Sequence, residues 1–537
     1  MSGIFIGSAF LSLASSHDLG GVDDPPVLFF GMTVKASSLL AIMGAIGGIG
    51  GALLMPLMGA IVDHTPYRRA VGICSWMVIC AINLACSFMN KGTGWQWVGY
   101  LSVVGGWFYS AHCVCMYAYL PEVEDAYIAE KKAKKTKQSA VVDKAMEEAA
   151  AARPAAAAQA GGDDDDGEKV EPGSVVPRTT SRQTAIQFLS QFLFLVGVII
   201  ISLFFSVALP KDYKDMDKEH QDFEDYKNGL KNNLTTNKIS MLATFIVGGS
   251  FYAWAWRVLP SRPALHPLPL STPVHRLFLA GFRKLLKTTV HMFSDFRELA
   301  VFLISVSFAE AGNLTFATLA VTYTTTTLKM TTSESGILFA IVLIFAVPGA
   351  ILWNKFVTSK IGKIKSCMLG TLLWGVVTTI APFFMQNPSQ KTNSYIFGAI
   401  WGFLFGAYGP PQSAVYVSMI PRGQESELMG VYIFAGQILV WLPPLIFSIM
   451  NERGVNMLWG LFMDACFFYV AFIIMFFYVY PRYDRAVEKA RKSDFMEEED
   501  IGPGIEMEQA AVGGGGAGAG VGGPIVAATS TSKQNQL

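Results

Sequence analysis

Charge is what this chain has little of. Asp, Glu, Lys and Arg make up 15% of its 537 residues, whereas soluble domains carry roughly a quarter. A string of ordinary soluble domains is therefore excluded, although the length would hold several. The charges that exist cancel, 41 basic against 41 acidic, which removes the electrostatic footprint of a nucleic-acid binder. Cysteine is equally sparse. Cys74, Cys80, Cys86, Cys113, Cys115, Cys367 and Cys466 all fall within apolar runs, where they read as small buried hydrophobes. Cys113 and Cys115 are two positions apart and point to different faces of a helix, so neither a metal site nor a disulfide framework is expected. No nucleophile–base pair or metal-ligand spacing stands out, which points away from an enzyme and from any cofactor.

Apolar sequence is what the chain has in abundance. Hydrophobic residues make up 52% of it, in long runs rather than on one face of each segment. Crossing the ~30 Å hydrocarbon layer takes about 20 mostly apolar residues at ~1.5 Å rise each. The runs that meet this test are Leu39–Val62, Ala70–Met89, Trp95–Tyr119, Ala185–Leu209, Ile239–Leu259, Leu299–Tyr323, Gly336–Trp353, Ser366–Met385, Tyr395–Ile420, Leu428–Met450 and Val455–Tyr480. A further stretch, Ile4–Ala14, is too short to cross. Nothing basic precedes it, so it lacks the leading segment of a signal peptide. It is expected to be a first helix that is unusually short or truncated, giving an all-α membrane protein of about twelve spans.

Basic residues set the orientation. With the start on the cytoplasmic side, the cytoplasmic connections hold Arg68 and Arg69, the lysines between Lys131 and Lys137, Arg262, Arg276, Arg283, Lys284 and Lys287, and then Lys355, Lys360, Lys363 and Lys365. Most opposite connections are short and nearly free of them. The exception, Pro210–Lys238, contains the glycosylation sequon Asn233-Leu234-Thr235, which fits a lumenal or extracellular side. Both termini are thus expected in the cytoplasm. The organisation is spans one to four in 1–121, a disordered cytoplasmic loop in 122–182, spans five and six in 183–260, a central linker in 261–298, spans seven to twelve in 299–480, and a disordered tail in 481–537. Within the linker, Leu277, Phe278, Phe282, Leu285, Met292, Phe293 and Phe296 form an apolar stripe over Val274–Arg297. Two readings stay open: a helix in the membrane interface, or one packed on the bundle.

The two halves echo each other. Pro56, Gly59 and the basic turn at Arg68 are matched by Pro348, Gly349 and the basic turn at Lys360–Lys365, and Leu120-Pro121-Glu122 by Ile420-Pro421-Arg422. Parallel six-helix repeats around a midplane site are a common transporter plan. Gly59-Ala60-Ile61-Val62-Asp63 followed by Arg68 and Arg69 resembles the helix 2–3 loop signature of the major facilitator superfamily. Gly59 would let helices approach, as would Gly44, Gly47, Gly48 and Gly51 in earlier turns. Asp63 can sit near the positive N-terminus of a neighbouring helix in one conformation and lose it in another. A plain basic loop with a capping aspartate is the alternative.

A narrower resemblance rests on Tyr119-Leu120-Pro121-Glu122, on Ile420-Pro421-Arg422-Gly423-Gln424-Glu425 running into Leu428-Met429-Gly430-Val431-Tyr432, and on Pro443-Pro444-Leu445-Ile446-Phe447. These are similar to the autophagy-related protein 22-like family of vacuolar amino-acid effluxers. The resemblance implies a major facilitator fold of two six-helix halves that rock about a midplane cavity. It implies a small-molecule substrate, amino acids, exported from a vacuole or lysosome-like compartment to the cytoplasm. It further implies gating by Gly59, Asp63, Arg68 and Arg69, and by Pro121, Glu122, Pro421 and Glu425. The family's seventh helix carries Asp-Gly near its middle; here Glu310-Ala311-Gly312-Asn313 displaces the acid by one residue, about 100° around a helix.

From the residues alone, Glu310 is the leading candidate, because a carboxylate amid an apolar span is costly unless it faces a cavity or a partner. It would carry a coupling proton or orient a substrate, with Asn313 one turn on. His112, Gln412, Tyr416 and Asp464 are the other candidates, and Pro410 and Pro411 are expected to break the tenth span and free backbone carbonyls. A structural role, as packed or hydrogen-bonded side chains, stays open for each. Two rival functions also remain: transport of a sugar, drug or nutrient at another membrane, and a non-transporting sensor or scaffold acting through its loop and tail.

Overall fold

A computed structural model describes residues 26–88, 95–117, 184–197, 237–259, 274–330, 332–421 and 425–492, with the single positions 200 and 235. Ile4–Ala14, Pro121, Glu122, the 122–182 loop, Asn233 and the glycine-rich end of the tail lie outside these residues.

The described chain opens with a hairpin, β1 (Pro26–Phe29) and β2 (Met32–Lys35), paired antiparallel with Phe29 opposite Met32. Its two-residue turn, Phe30-Gly31, has positive φ at both positions, 49° and 75°, the hand that matches strand twist. The described elements after it are helices: α1 (Leu39–His64), α2 (Arg68–Ser87), α3 (Trp95–Tyr117), α4 (Thr184–Gly197), α5 (Asn237–Val258) and the linker helix α6 (Val274–Asp295). Then come α7 (Arg297–Thr326), α8 (Thr332–Leu352, continuing to Ile361), α9 (Lys363–Ile380), α10 (Lys391–Met419), α11 (Glu425–Ile438), α12 (Leu442–Glu452), α13 (Leu458–Ile474) and α14 (Tyr483–Lys492). Among the described residues, 8 helices are long and apolar enough to cross a membrane.

Packing sorts these helices into two groups. In the first, α1 packs on α3, α3 on α2, and α2 on α5; in the second, α8 lies along α10, and α13 along α7 and α9. The α8–α10 contact is close because a Cβ at Gly402 or Gly406 would collide with the carbonyl oxygens of Val342 and Ala346. That is backbone-to-backbone packing by small residues, as membrane helices use. The groups meet where α1 crosses α11 and α12. There Gly48 lies against the backbone of Trp441, and a Cβ added to it would stand 2.9 Å from the Trp441 nitrogen.

Two expectations need correction. Pro410 and Pro411 do not break the tenth span; α10 runs through both, and both are buried, braced by α8. The break falls in the eleventh span, between α11 and α12. Pro443 and Pro444 offer no N–H there, and turns at Val440 and Leu442 replace the helical ladder. The tail does not begin as coil, since α14 continues to Lys492 with Ala486 and Ala490 buried.

The linker helix α6 follows the second reading offered for it along one face. One face packs on the bundle: Gly281 sits against Pro56 of α1, and Met292 is buried with Leu285 and Phe296 beside it. The other face leaves Leu279, Leu286, Val290 and Phe293 exposed.

Candidate functional site

A cavity of about 720 Å³ lies between the two groups. Leu40 and Met43 of α1, Ser102 of α3, and Gln187 and Gln191 of α4 line it from one side. From the other come Glu310, Asn313 and Phe316 of α7, Phe339 of α8, Trp374 of α9, and Trp401, Phe405 and Tyr408 of α10. Glu310 is the one carboxylate on its wall among the described residues, and no Lys, Arg or His joins it there.

The walls around that carboxylate are aromatic. The Phe316 ring meets Trp374 edge-on at 5.7 Å and Trp401 at 4.9 Å, and Trp374 lies 5.6 Å from Phe405. Trp401 spends its N–H on the Thr378 hydroxyl at 3.3 Å. Such rings offer large flat apolar contact with few competing polar atoms.

Asn313 stands one helical turn from Glu310 and donates its Nδ2 to Glu310 Oε2 at 3.3 Å. Tyr408 and Gln412, themselves one turn apart on α10, both sit against the same carboxylate. Gln412 Nε2 donates to Tyr408 Oη at 3.0 Å, and Tyr432 Oη of α11 donates to Gln412 Oε1 at 3.2 Å. Tyr416 stacks on Tyr432 with ring centroids 4.5 Å apart, and its hydroxyl donates to the Leu428 carbonyl. Four of the expected residues, Glu310, Asn313, Gln412 and Tyr416, are thus joined in one cluster.

The other two are elsewhere. His112 is buried in the first group, its Nδ1 3.3 Å from the Gly72 carbonyl and its ring edge-on to Tyr252 and Trp256, and it does not line the cavity. Asp464 is fully buried on α13, and neither of its oxygens has a hydrogen-bond partner among the described residues. Of the residues tied to gating, Arg68 is buried at the start of α2. Arg69 donates Nη2 to the Trp256 carbonyl near the end of α5 at 2.9 Å, a cation placed on a helix C-terminus. Asp63 lies in the last turn of α1 and Glu425 opens α11, while Pro421 is buried just beyond α10. Of the glycines expected to allow close approach, Gly48 does so against Trp441, whereas a Cβ at Gly59 would meet nothing within 4 Å among the described residues.

Sequence reading missed Tyr408, Tyr432, Trp374, Gln187 and Gln191. The glutamines had a visible signal, two amides four residues apart in an apolar run and so on one helix face. Tyr408 precedes Gln412 by the same interval. Tyr432 and Trp374 join the site only through tertiary packing.

Two groups of apolar helices that enclose a cavity, with a single carboxylate on its wall among the described residues, are the arrangement of a multi-span membrane protein. The chain belongs to the family described as vacuole effluxer Atg22 like, which it matches over residues 15–488. Autophagy-related protein 22 of Kluyveromyces lactis is 20% identical over 181 residues, a stretch covering 33% of this chain and only 37% of that protein. Among solved structures, the chain is similar to the inward-open xylose transporter XylE from E. coli, with a TM-score of 0.48 and 13% identity over 89% of this chain and 94% of the other. It is also similar to the nucleoside transporter NupG, with a TM-score of 0.47 and 12% identity over 88% of this chain and 97% of the other.

Proposed function

We propose that this protein is a secondary transporter that moves amino acids from a vacuole-like compartment to the cytoplasm, by alternating access of the cavity between its two helix groups. Both termini lie in the cytoplasm in this reading. The observation that carries it is Glu310, a carboxylate held in an apolar cavity wall by Asn313, Tyr408 and Gln412. Such a group can exchange a proton with one side and then the other, or pair with a substrate amine. The aromatic walls suit an uncharged side chain, and family membership supports the substrate class. Asp63, Arg68 and Arg69, and at the matching end of the second half Pro421 and Glu425, act at the cytoplasmic gate.

The test uses the full chain in proteoliposomes with labelled amino acids and an imposed pH gradient. Glu310→Gln keeps size and hydrogen bonding but removes the titratable proton. It is expected to retain exchange of substrate across the membrane and to lose gradient-driven accumulation. Accumulation equal to the parent would overturn the role given to Glu310. Transport of sugars but of no amino acid would overturn the substrate class.

A further inference from the structure

Ile420, Pro421, Leu428 and Gly430, from the segment that carries the family resemblance most specifically, do not line the cavity. A continuous run of side chains nevertheless connects it to Glu310. Leu428, in the first turn of α11, accepts the Tyr416 hydroxyl on its carbonyl, and the Tyr416 ring stacks on Tyr432 at 28° between planes. Tyr432 donates to Gln412 Oε1 at 3.2 Å, and Gln412 reaches the carboxylate. Helix α11 touches the same place a second time, because a Cβ at Gly436 would stand 3.6 Å from Glu310 Cγ.

A phenol hydroxyl is a better donor than acceptor, so the Tyr432 bond favours the orientation in which the Gln412 amide turns its oxygen to Tyr432. An amide has one acceptor end and one donor end. With its oxygen engaged by Tyr432, its N–H₂ is turned toward Tyr408 and Glu310. Donors aimed at a carboxylate favour its ionised form. Without Tyr432 the amide is free to rotate and present its oxygen, which is satisfied only if Glu310 carries the proton and donates it. We infer that Tyr432 is a positioning residue, which links the place of α11 to proton release from Glu310 by holding the donor end of Gln412 toward the carboxylate. The released proton passes to water on the side to which the cavity is open. This rests on the transporter reading above and gives a task to the Pro421–Gly430 segment, which sets where α11 begins. The other titratable groups near Glu310 are Cys367 from α9 and Tyr408 from α10; Asp464, on α13 packed along α7, is buried away from the cavity lining.

Tyr432→Phe keeps the ring stacked on Tyr416 and removes only the hydroxyl. Gradient-driven accumulation is expected to fall about fivefold, the equivalent of one net hydrogen bond, and the pH profile of transport to move. Gln412→Met breaks the same link from its other end and is expected to displace the pH profile likewise. In a Glu310→Gln background, Tyr432→Phe is expected to add nothing. A parental pH profile in both single variants overturns the inference. So does a loss of exchange from Tyr432→Phe in the Glu310→Gln background, where accumulation is already absent, since that is the mark of packing alone. A Glu310→Gln protein that accumulates substrate like the parent removes the transporter role of Glu310 itself, and is told apart because it does not depend on Tyr432.

Discussion

The backbone N–H of Lys35 donates to Glu452 Oε1 at 2.8 Å, which fastens the N-terminal hairpin to the end of α12 in the opposite helix group. The Lys35 ammonium adds a bond to the Asn451 carbonyl at 2.7 Å, and Asn451 Nδ2 donates to the hydroxyls of Ser37 and Ser38. On its other side the hairpin is held by Phe29, fully buried and stacked 5.1 Å from Tyr100 of α3. The hairpin thus bridges the groups at the end of the bundle remote from Asp63.

Removing this clasp is expected to free that end. Asn451→Ala leaves buried hydroxyls at Ser37 and Ser38 without their donor, a loss of about 1–3 kcal/mol. A lower Tm in detergent is expected, together with faster labelling of a Ser38→Cys reporter by a water-soluble thiol reagent. Unchanged labelling would show that the clasp does not restrain this end.

The crossing of the groups makes a prediction that separates two glycines. Gly48→Val is expected to abolish transport while the protein still inserts in the membrane, because its side chain would enter the Trp441 backbone. Gly59→Ala is expected to leave transport near the parental rate, since nothing described lies within 4 Å of its Cβ. Initial rates normalised to surface-accessible protein check both.

If Asp63 acts at the gate proposed above, Asp63→Asn is expected to slow transport while substrate affinity in a binding assay stays near normal. The reason is position: Asp63 ends α1, away from the cavity-lining stretch between Leu40 and Gly47. Arg69→Ala is expected to act in the same way by releasing the Trp256 carbonyl. A large loss of affinity with normal turnover would contradict this placement.

Eight of the eleven expected spans have a described helix long and apolar enough to cross a membrane, and they were legible because an apolar run of about 20 residues matches the thickness of a bilayer and little else. Glu310 was legible because a carboxylate within such a run is exceptional. The hairpin was not. Its strands are four residues each, too short for a reading tuned to membrane-length runs. The prolines misled in a specific way. Pro410–Pro411 and Pro443–Pro444 look alike in sequence, yet only the second pair coincides with a break, because α8 packs backbone to backbone along α10 and holds its path. The link from Tyr432 to Gln412 spans 20 positions and depends on how α11 lies on α10, which no local pattern records.

Asp464 supplies the sharpest test of whether a buried acid must be a working one. It is 0% exposed, both its oxygens lack partners among the described residues, and its helix packs along α7 and α9. Leu461, one turn earlier on the same face, lines the cavity, and Phe468, one turn later, packs against Gly312. Asp464 therefore stands behind the cavity wall rather than on it. An ionised carboxylate there, unpaired and unsolvated, would cost several kcal/mol. Asp464→Asn keeps the volume, and with no described partner it has no bond to lose. It is expected to leave both exchange and gradient-driven accumulation at parental levels, in contrast to Glu310→Gln. Asp464→Leu, which cannot match the planar shape, is expected to lower Tm without moving the pH profile. If Asp464→Asn instead abolishes accumulation while exchange continues, the proton is shared between α7 and α13, and Glu310 is only one of its two stations.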